Sequence, residues 1–512
     1  MNVNRRSLLK LLSSSAVASF VVPGHFREAR ASTPAKVSLG LNFNGMVYWS
    51  TEQPFSNLAY NAAPWRVQMD GEPFTWDTPL PPMTDDGYPR EVPERSEIES
   101  FLIFTVHREH IGREVSVYYD GKGTLNYSGG ASLEARKPGC DEVRNLNNGH
   151  AFAVRLVKTD PDDPLRNIRV YERGTMPKGT FREAFLDRLK GMRTLRFMDW
   201  MATNNSKISR WDERPRVGKF GHSDRGVPLE HMVELANVTK IAPWFTMPHL
   251  ADDDYVRSFA SQVKDTLDPS LKIYVEYSNE VWNSMFSQAR YAAEQGMAAG
   301  LASNEFQAQL TFYSQRTSEM LAIWDDVFSD SRDRVIGVYA AQSVNEWTSE
   351  IVLSAGDARK YCDVLAIAPY FGNALGSPET ANEVAGWSMD RVFEVLSAEV
   401  EGDNLQAIRK QADVAKKYGV KLVAYEGGQH LVGFTGAENN EGLTNVLVTA
   451  NRDPRMGELY TRHLNLWAEA GGDVYVLYSS MTEPSKWGSW GLLEYEGSSN
   501  PKWDAVQQFV GK

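Results

Sequence analysis

From about residue 180 onward the chain alternates short apolar runs with stretches whose apolar positions recur every three or four residues. The runs lie at 194–198, 241–246, 273–277, 335–339, 364–368, 422–425 and 474–478. Each is brief and rich in β-branched or aromatic residues, the pattern of a strand buried on both faces of a parallel sheet. The stretches between them read as helices. In 252–266 the apolar stripe is Val256, Phe259, Ala260 and Val263, and in 303–328 it is Phe306, Leu310, Phe312, Leu321 and Trp324. Residues 391–418 hold one or two helices, and 456–470 another. Seven strands are one short of a closed barrel, and 37–43 supplies the eighth.

The segment 67–173 has a different rhythm. Alternating runs such as 115–119 and 152–157 are separated by the turn signals Asp120-Gly121, Gly129-Gly130, Asn147-Asn148-Gly149 and Asp160-Pro161-Asp162-Asp163-Pro164. This punctuation predicts a small antiparallel β domain. The expected fold is therefore α/β: a (β/α)8 TIM barrel formed by 36–66 and 174–512, with 67–173 inserted after the first barrel strand. An independent N-terminal β domain fits the same pattern. No Gly-x-Gly-x-x-Gly or phosphate-binding Gly-Lys-Ser/Thr loop follows any candidate strand, so a doubly wound nucleotide-binding sheet lacks its anchor.

The first 31 residues stand outside this pattern. Asn4-Arg5-Arg6-Ser7-Leu8-Leu9-Lys10 precedes a modest apolar run from Leu11 to Val22, then Pro23-Gly24 and Ala29-Arg30-Ala31. A charged start, an apolar core too short to span a bilayer and a small-residue cleavage site read as an export signal. The paired arginines mark it as a twin-arginine signal, implying the twin-arginine export machinery as a partner and a periplasmic or secreted product. Its loss removes Arg5, Arg6, Lys10, Arg27 and Arg30 against Glu28, taking the formal charge from −12 to −16. So acidic a chain is a poor match for nucleic acid, which needs a basic surface. A neutral or basic polymer meets no such repulsion. No later run is long enough to span a membrane, so none is expected once the signal is gone. Cys140 and Cys362, too few for a disulfide scaffold, read as free thiols.

In a (β/α)8 barrel the chemistry sits at the C-terminal strand ends. The fourth strand runs out in Glu276-Tyr277-Ser278-Asn279-Glu280-Val281-Trp282, and the seventh in Tyr425-Glu426-Gly427-Gly428. Two carboxyls facing each other across a barrel mouth meet the needs of glycoside hydrolysis, where one is protonated and the other ionised.

An Asn-Glu pair ending strand four with a lone Glu ending strand seven resembles clan A of the retaining glycoside hydrolases, the cellulase- and mannanase-like barrels. The resemblance covers the first strand and everything from about residue 180. It implies Glu280 as general acid/base and Glu426 as nucleophile, with Asn279 bonding the sugar 2-hydroxyl. Arg196, ending strand two, would orient Glu426 and keep it ionised. His249 after strand three would line the cleft, and Tyr370 ending strand six would donate to Glu426. Trp282, Trp487 and Trp490 are candidate sugar platforms. Glu280 would be raised in pKa and Glu426 held low. The chain departs from the family in having Val281 after the acid/base, where Pro is usual, and Ala368 where a His often stands. No Trp occupies 478–480. Glu276 reads as a structural acid inside the barrel. Asp252-Asp253-Asp254 reads as an acidic helix start rather than a metal loop, so neither metal nor organic cofactor is expected.

The function implied is double-displacement hydrolysis of a β-linked polysaccharide or oligosaccharide. A non-catalytic glycan-binding or polysaccharide-assembly protein on the same scaffold, and a transglycosylase using the same acids, are the alternatives.

Overall fold

The apolar runs pair side by side in the order in which the chain makes them. The structure, a computed structural model, describes residues 37–103, 113–146, 150–175 and 177–511; the export signal read at 1–31 lies outside them. The first strand is β1 (Ser38–Asn42). The chain then leaves for eight antiparallel strands: β2 (Arg66–Met69), β3 (Ser96–Ile103), β4 (Glu114–Asp120), β5 (Gly123–Gly129), β6 (Ala131–Lys137), β7 (Cys140–Asn145), β8 (Phe152–Thr159) and β9 (Arg166–Glu172). It returns through β10 (Thr194–Arg196), β11 (Ala242–Met247), β12 (Ile273–Tyr277), β13 (Val335–Ala340), β14 (Val364–Ile367), β15 (Lys421–Ala424) and β16 (Gly472–Leu477).

Strands β1 and β10–β16 form one closed barrel, all parallel. Closure falls on β1, which registers Gly40 on Thr194 of β10 and Ser38 on Val474 of β16. Gly40 is required there. A Cβ would sit 2.8 Å from the Thr194 carbonyl oxygen and 2.9 Å from a Val476 methyl carbon. Every residue of β14 is buried, as is all but one of β12 and of β13, which is why these runs read as continuously apolar rather than alternating.

Helices cover the outside, and their ends follow local chemistry. Asp252 caps Asp253–Thr266 by accepting from the Tyr255 amide, so the Asp triplet is a helix start. Asn304 caps Glu305–Val327 in the same way. Helix Met389–Glu399 continues through a π-helical turn, Val400–Asn404, into Leu405–Tyr418, which ends at Gly419 with φ of 74°. Among the described residues no helix is long and apolar enough to cross a membrane, and no group of three or more His, Cys, Asp or Glu is placed to hold a metal ion. Cys140 and Cys362 are both free.

Strands β2–β9 make two four-stranded sheets, ordered β2-β3-β8-β5 and β6-β7-β4-β9. They enclose a core separate from that of the barrel, built from inward residues such as Val67, Ile98, Val115, Val117, Leu125, Val143, Val154 and Val170. Phe55 on the way out and Phe181 on the way back bridge as antiparallel neighbours, so the insertion leaves and rejoins the barrel at one place.

Candidate active site

Beyond Tyr277 the β12 strand cannot continue, because Ser278 and Glu280 both take left-handed backbone, with φ of 60° and 43°. Such residues cost roughly 1–3 kcal/mol each and persist only where their surroundings hold them. Here the Ser278 amide donates to the Met247 carbonyl of β11, the Tyr277 hydroxyl to the His249 carbonyl, and the Asn283 amide to the Glu280 carbonyl. The sharp turn aims the half-buried Glu280 carboxyl over the mouth. Its two oxygens accept from the Tyr425 hydroxyl at 2.9 Å and from the Asn283 side chain at 2.8 Å.

Strand β15 ends in the same mouth. Glu426 is 7% exposed. One of its oxygens accepts from Arg196 at 3.1 Å and the other from the Tyr370 hydroxyl at 3.2 Å. The glycines that follow it are dictated by packing: a Cβ on Gly427 would lie 2.2 Å from the Tyr475 hydroxyl, and one on Gly428 2.6 Å from that of Tyr460.

Arg196 is the hub. Its side chain is fully buried and bonds to residues on or just past three other strands, β1, β12 and β15. Nε and Nη2 grip Glu276 at 3.0 and 3.1 Å, Nη1 reaches Glu426 and Asn42 (3.3 Å), and Nη2 also reaches Asn279 at 2.8 Å. The guanidinium centre lies 4.9 Å from the centre of the Tyr425 ring. Glu276 receives a further bond from the Trp244 indole at 2.8 Å and is the structural acid inside the barrel.

Burial raises the pKa of both mouth carboxyls. For Glu280 it outweighs its two neutral donors. For Glu426 burial is the largest cause and the charge of Glu280 the next, and together they push it up to about 8 against the pull of Arg196. The expectation that Arg196 holds Glu426 low is corrected here. The cation is committed bidentately to Glu276 and offers Glu426 a single contact. Each acid is thus held toward its protonated form, and the charge of Glu280 disfavours ionisation of Glu426.

The other expected residues divide. Tyr370 donates to Glu426 as expected. Asn279 is 2% exposed; its oxygen is taken by Arg196, and one amide hydrogen goes to Asn204 at 3.0 Å. His249 is buried edge-on to Tyr291 with its Nδ1 unpartnered, and burial lowers its pKa to about 4. It contacts neither carboxyl among the described residues. Trp282 is half-buried against the barrel core, a packing role. Trp490 lies at the mouth, its ring edge-on to Tyr370, His430 and Tyr478 at centroid distances of 5.9, 5.0 and 5.7 Å. Trp487, 64% exposed, stands further out on the same loop.

Sequence reasoning missed Asn42, Asn283, Tyr425, Asp199 and Tyr478. Asn42 ends β1, where strand-end position alone could have flagged it. Asp199 sits three residues beyond Arg196, and its Oδ2 accepts from the Tyr478 hydroxyl beyond β16 at 3.2 Å.

No protein-family model matches this chain, and no curated protein matches it. In shape it is similar to several solved structures. One is the GH51 arabinofuranosidase from Xanthomonas axonopodis pv. citri, 13% identical over 66% of this chain and 67% of that one, with a TM-score of 0.38. Another is the GH5-4 broad-specificity endoglucanase from Clostridium acetobutylicum, 13% identical over 67% and 92%, TM-score 0.35. A third is the exo-β-1,4-mannosidase from Opitutaceae bacterium strain TAV5, 14% identical over 64% and 55%, TM-score 0.35.

Proposed function

We propose that this chain is an exported retaining glycoside hydrolase acting on a β-linked polysaccharide or oligosaccharide. The observation that carries the reading is the pair of carboxyls at one barrel mouth. Glu280 and Glu426 leave strands four and seven of one barrel, burial raises the pKa of both, and Tyr425 and the Arg196 hub link them.

The reactive form has the proton on Glu280 and the charge on Glu426. In that form the charge on Glu426 is met by the Arg196 cation and the Tyr370 hydroxyl, while the hydrogen-bond donors to Glu280, Tyr425 and Asn283, are neutral. Glu280 gives its proton to the glycosidic oxygen as the bond to the anomeric carbon breaks, and a Glu426 oxygen takes that carbon to form a glycosyl ester. Glu280, now ionised, takes a proton from water, whose oxygen displaces Glu426 and restores the starting state. Asn279 offers an amide hydrogen beside the reacting carbon, and Trp490 a ring face at the mouth.

The test is to incubate the mature protein, from residue 32 onward, with β-glucans, mannans, xylans and bacterial exopolysaccharides and to measure new reducing ends. Cleavage of at least one polymer, abolished in Glu280→Gln and Glu426→Gln, is the expected result. Binding without cleavage across the panel would overturn the reading, and products longer than the substrate would replace water by a sugar acceptor in the second step.

A further inference from the structure

Asp199 is a carboxyl for which the two-acid mechanism has no use. Its side chain is half-buried at the mouth, on the turn that follows β10. That turn is held without it. The Met201 amide donates to the Phe197 carbonyl, the Ala202 amide to the Asp199 backbone carbonyl and the Thr203 amide to the Met198 carbonyl, while fully buried Trp200 anchors the segment. The carboxyl itself accepts a single bond, from Tyr478. Among the described residues its Oδ1 has no hydrogen-bond partner, and no cation forms a salt bridge with it.

Its surroundings place it in the cleft. Tyr478 packs edge-on to Trp490, Trp490 to Tyr370, and Tyr370 donates to Glu426. The negative charge of Asp199 also raises the proton affinity of Glu426, so the two carboxyls feel each other. A third acid beside an attacking carboxylate works against ionisation of that carboxylate. It is a local cost, offset inside the protein only by the bond from Tyr478 and the pull of Arg196.

The geometry points to a ligand-directed role: we infer that Asp199 is a specificity-determining residue that accepts hydrogen bonds from hydroxyls of the sugar ring attacked by Glu426, and that it excludes sugars carrying a carboxylate there. The inference rests on the glycosidase reading above. Asp199 after strand two and Tyr478 after strand eight border the mouth that Glu426 enters, linked to it through Trp490 and Tyr370. Burial raises the Asp199 carboxyl to about 6, so above that pH it is ionised; with a free oxygen it then accepts from a pair of neighbouring hydroxyls, and it repels a uronate through the same charge.

The experiment compares kcat/KM for two aryl β-glycosides that differ only in a neutral hexose or the matching uronic acid, using the mature protein and its Asp199→Asn and Asp199→Glu variants. Wild type is expected to favour the neutral glycoside by about a hundredfold. Asp199→Asn, isosteric but uncharged, should lower turnover of the neutral sugar by about tenfold and narrow the preference by about tenfold or more. Asp199→Glu keeps the charge and so should keep the discrimination while losing neutral turnover. A preference unchanged in Asp199→Asn, with the wild type active, overturns this inference and leaves the glycosidase reading intact. A wild type that cleaves no glycoside of any class overturns both.

Discussion

Removing Arg196 tests whether one buried cation organises the whole site. Arg196→Met keeps an unbranched stem but removes the guanidinium, and with it two bonds to Glu276 and one each to Glu426, Asn279 and Asn42. Glu276 is then a buried carboxylate whose remaining partner is the Trp244 indole. Breaking a buried ion pair from one side costs roughly 3–5 kcal/mol. The cost is capped because Glu276, already raised by burial, can take up a proton. Each pH unit below its new pKa returns about 1.4 kcal/mol. Denaturant unfolding at a series of pH values should therefore show a large loss at pH 8 that shrinks toward pH 5. Adding Glu276→Gln removes the stranded charge while keeping an acceptor for Trp244, and should recover most of the stability. Activity should not recover with it. Glu426 still lacks its cation, and a preorganised charge at a reacting group is worth on the order of 3 kcal/mol, or a hundredfold in turnover. The reasoning is refuted if the single variant loses less than about 1 kcal/mol, or if the double variant regains wild-type turnover.

Burial raises Glu280, the proton donor, above its ordinary value of 4.5, so turnover should fall only at higher pH, where Glu280 gives up its proton and no acid is left for the leaving oxygen; a kcat/KM profile that already falls at pH 4.5 would contradict this. Lys502 is 1% exposed and bonded to Asn451 and the Ser489 carbonyl, and burial lowers its pKa from 10.5 to about 7. Between those values the unfolded chain holds a proton that the folded one has shed, so this group makes stability rise with pH across the window. Comparing unfolding free energies at pH 7 and pH 10 should show that Lys502→Met removes that rise. Gly427→Ala forces a Cβ against the Tyr475 hydroxyl and so displaces Glu426; activity should drop at least about tenfold with the fold retained, since small misplacements of a reacting group are costly. Wild-type kinetics in Gly427→Ala would show that the position tolerates movement.

The barrel was legible because its strands carry their own signal. A run such as Val364–Ile367, buried on both faces, differs visibly from the three-and-four spacing of Asp253–Thr266 beside it. The antiparallel sheets were legible from alternation, as in β4, where Val115 and Val117 face the core. The site was legible only where chemistry coincides with a strand end, as at Arg196, Glu280, Tyr370 and Glu426. Asn42 and Tyr425 meet across 383 positions of chain, and no local pattern announces that contact. The proton affinity of Glu426 was read in the wrong direction for a similar reason. It depends on burial and on the charge of Glu280, against which Arg196 pulls, and these are properties of the assembled mouth. Trp282, expected as a platform from its place beside Glu280, is partly buried against the barrel core.

The account stands or falls on Glu426 forming a bond to the sugar. The measurement is mass-spectrometric peptide mapping of the mature protein after exposure to a 2-deoxy-2-fluoro version of whichever aryl β-glycoside it cleaves, since fluorine at that position slows release of a covalent intermediate. One glycosyl group on the peptide containing Glu426, absent in Glu426→Gln, is the predicted result. A label on any other residue, or a wild-type product whose anomeric configuration is inverted, would contradict it.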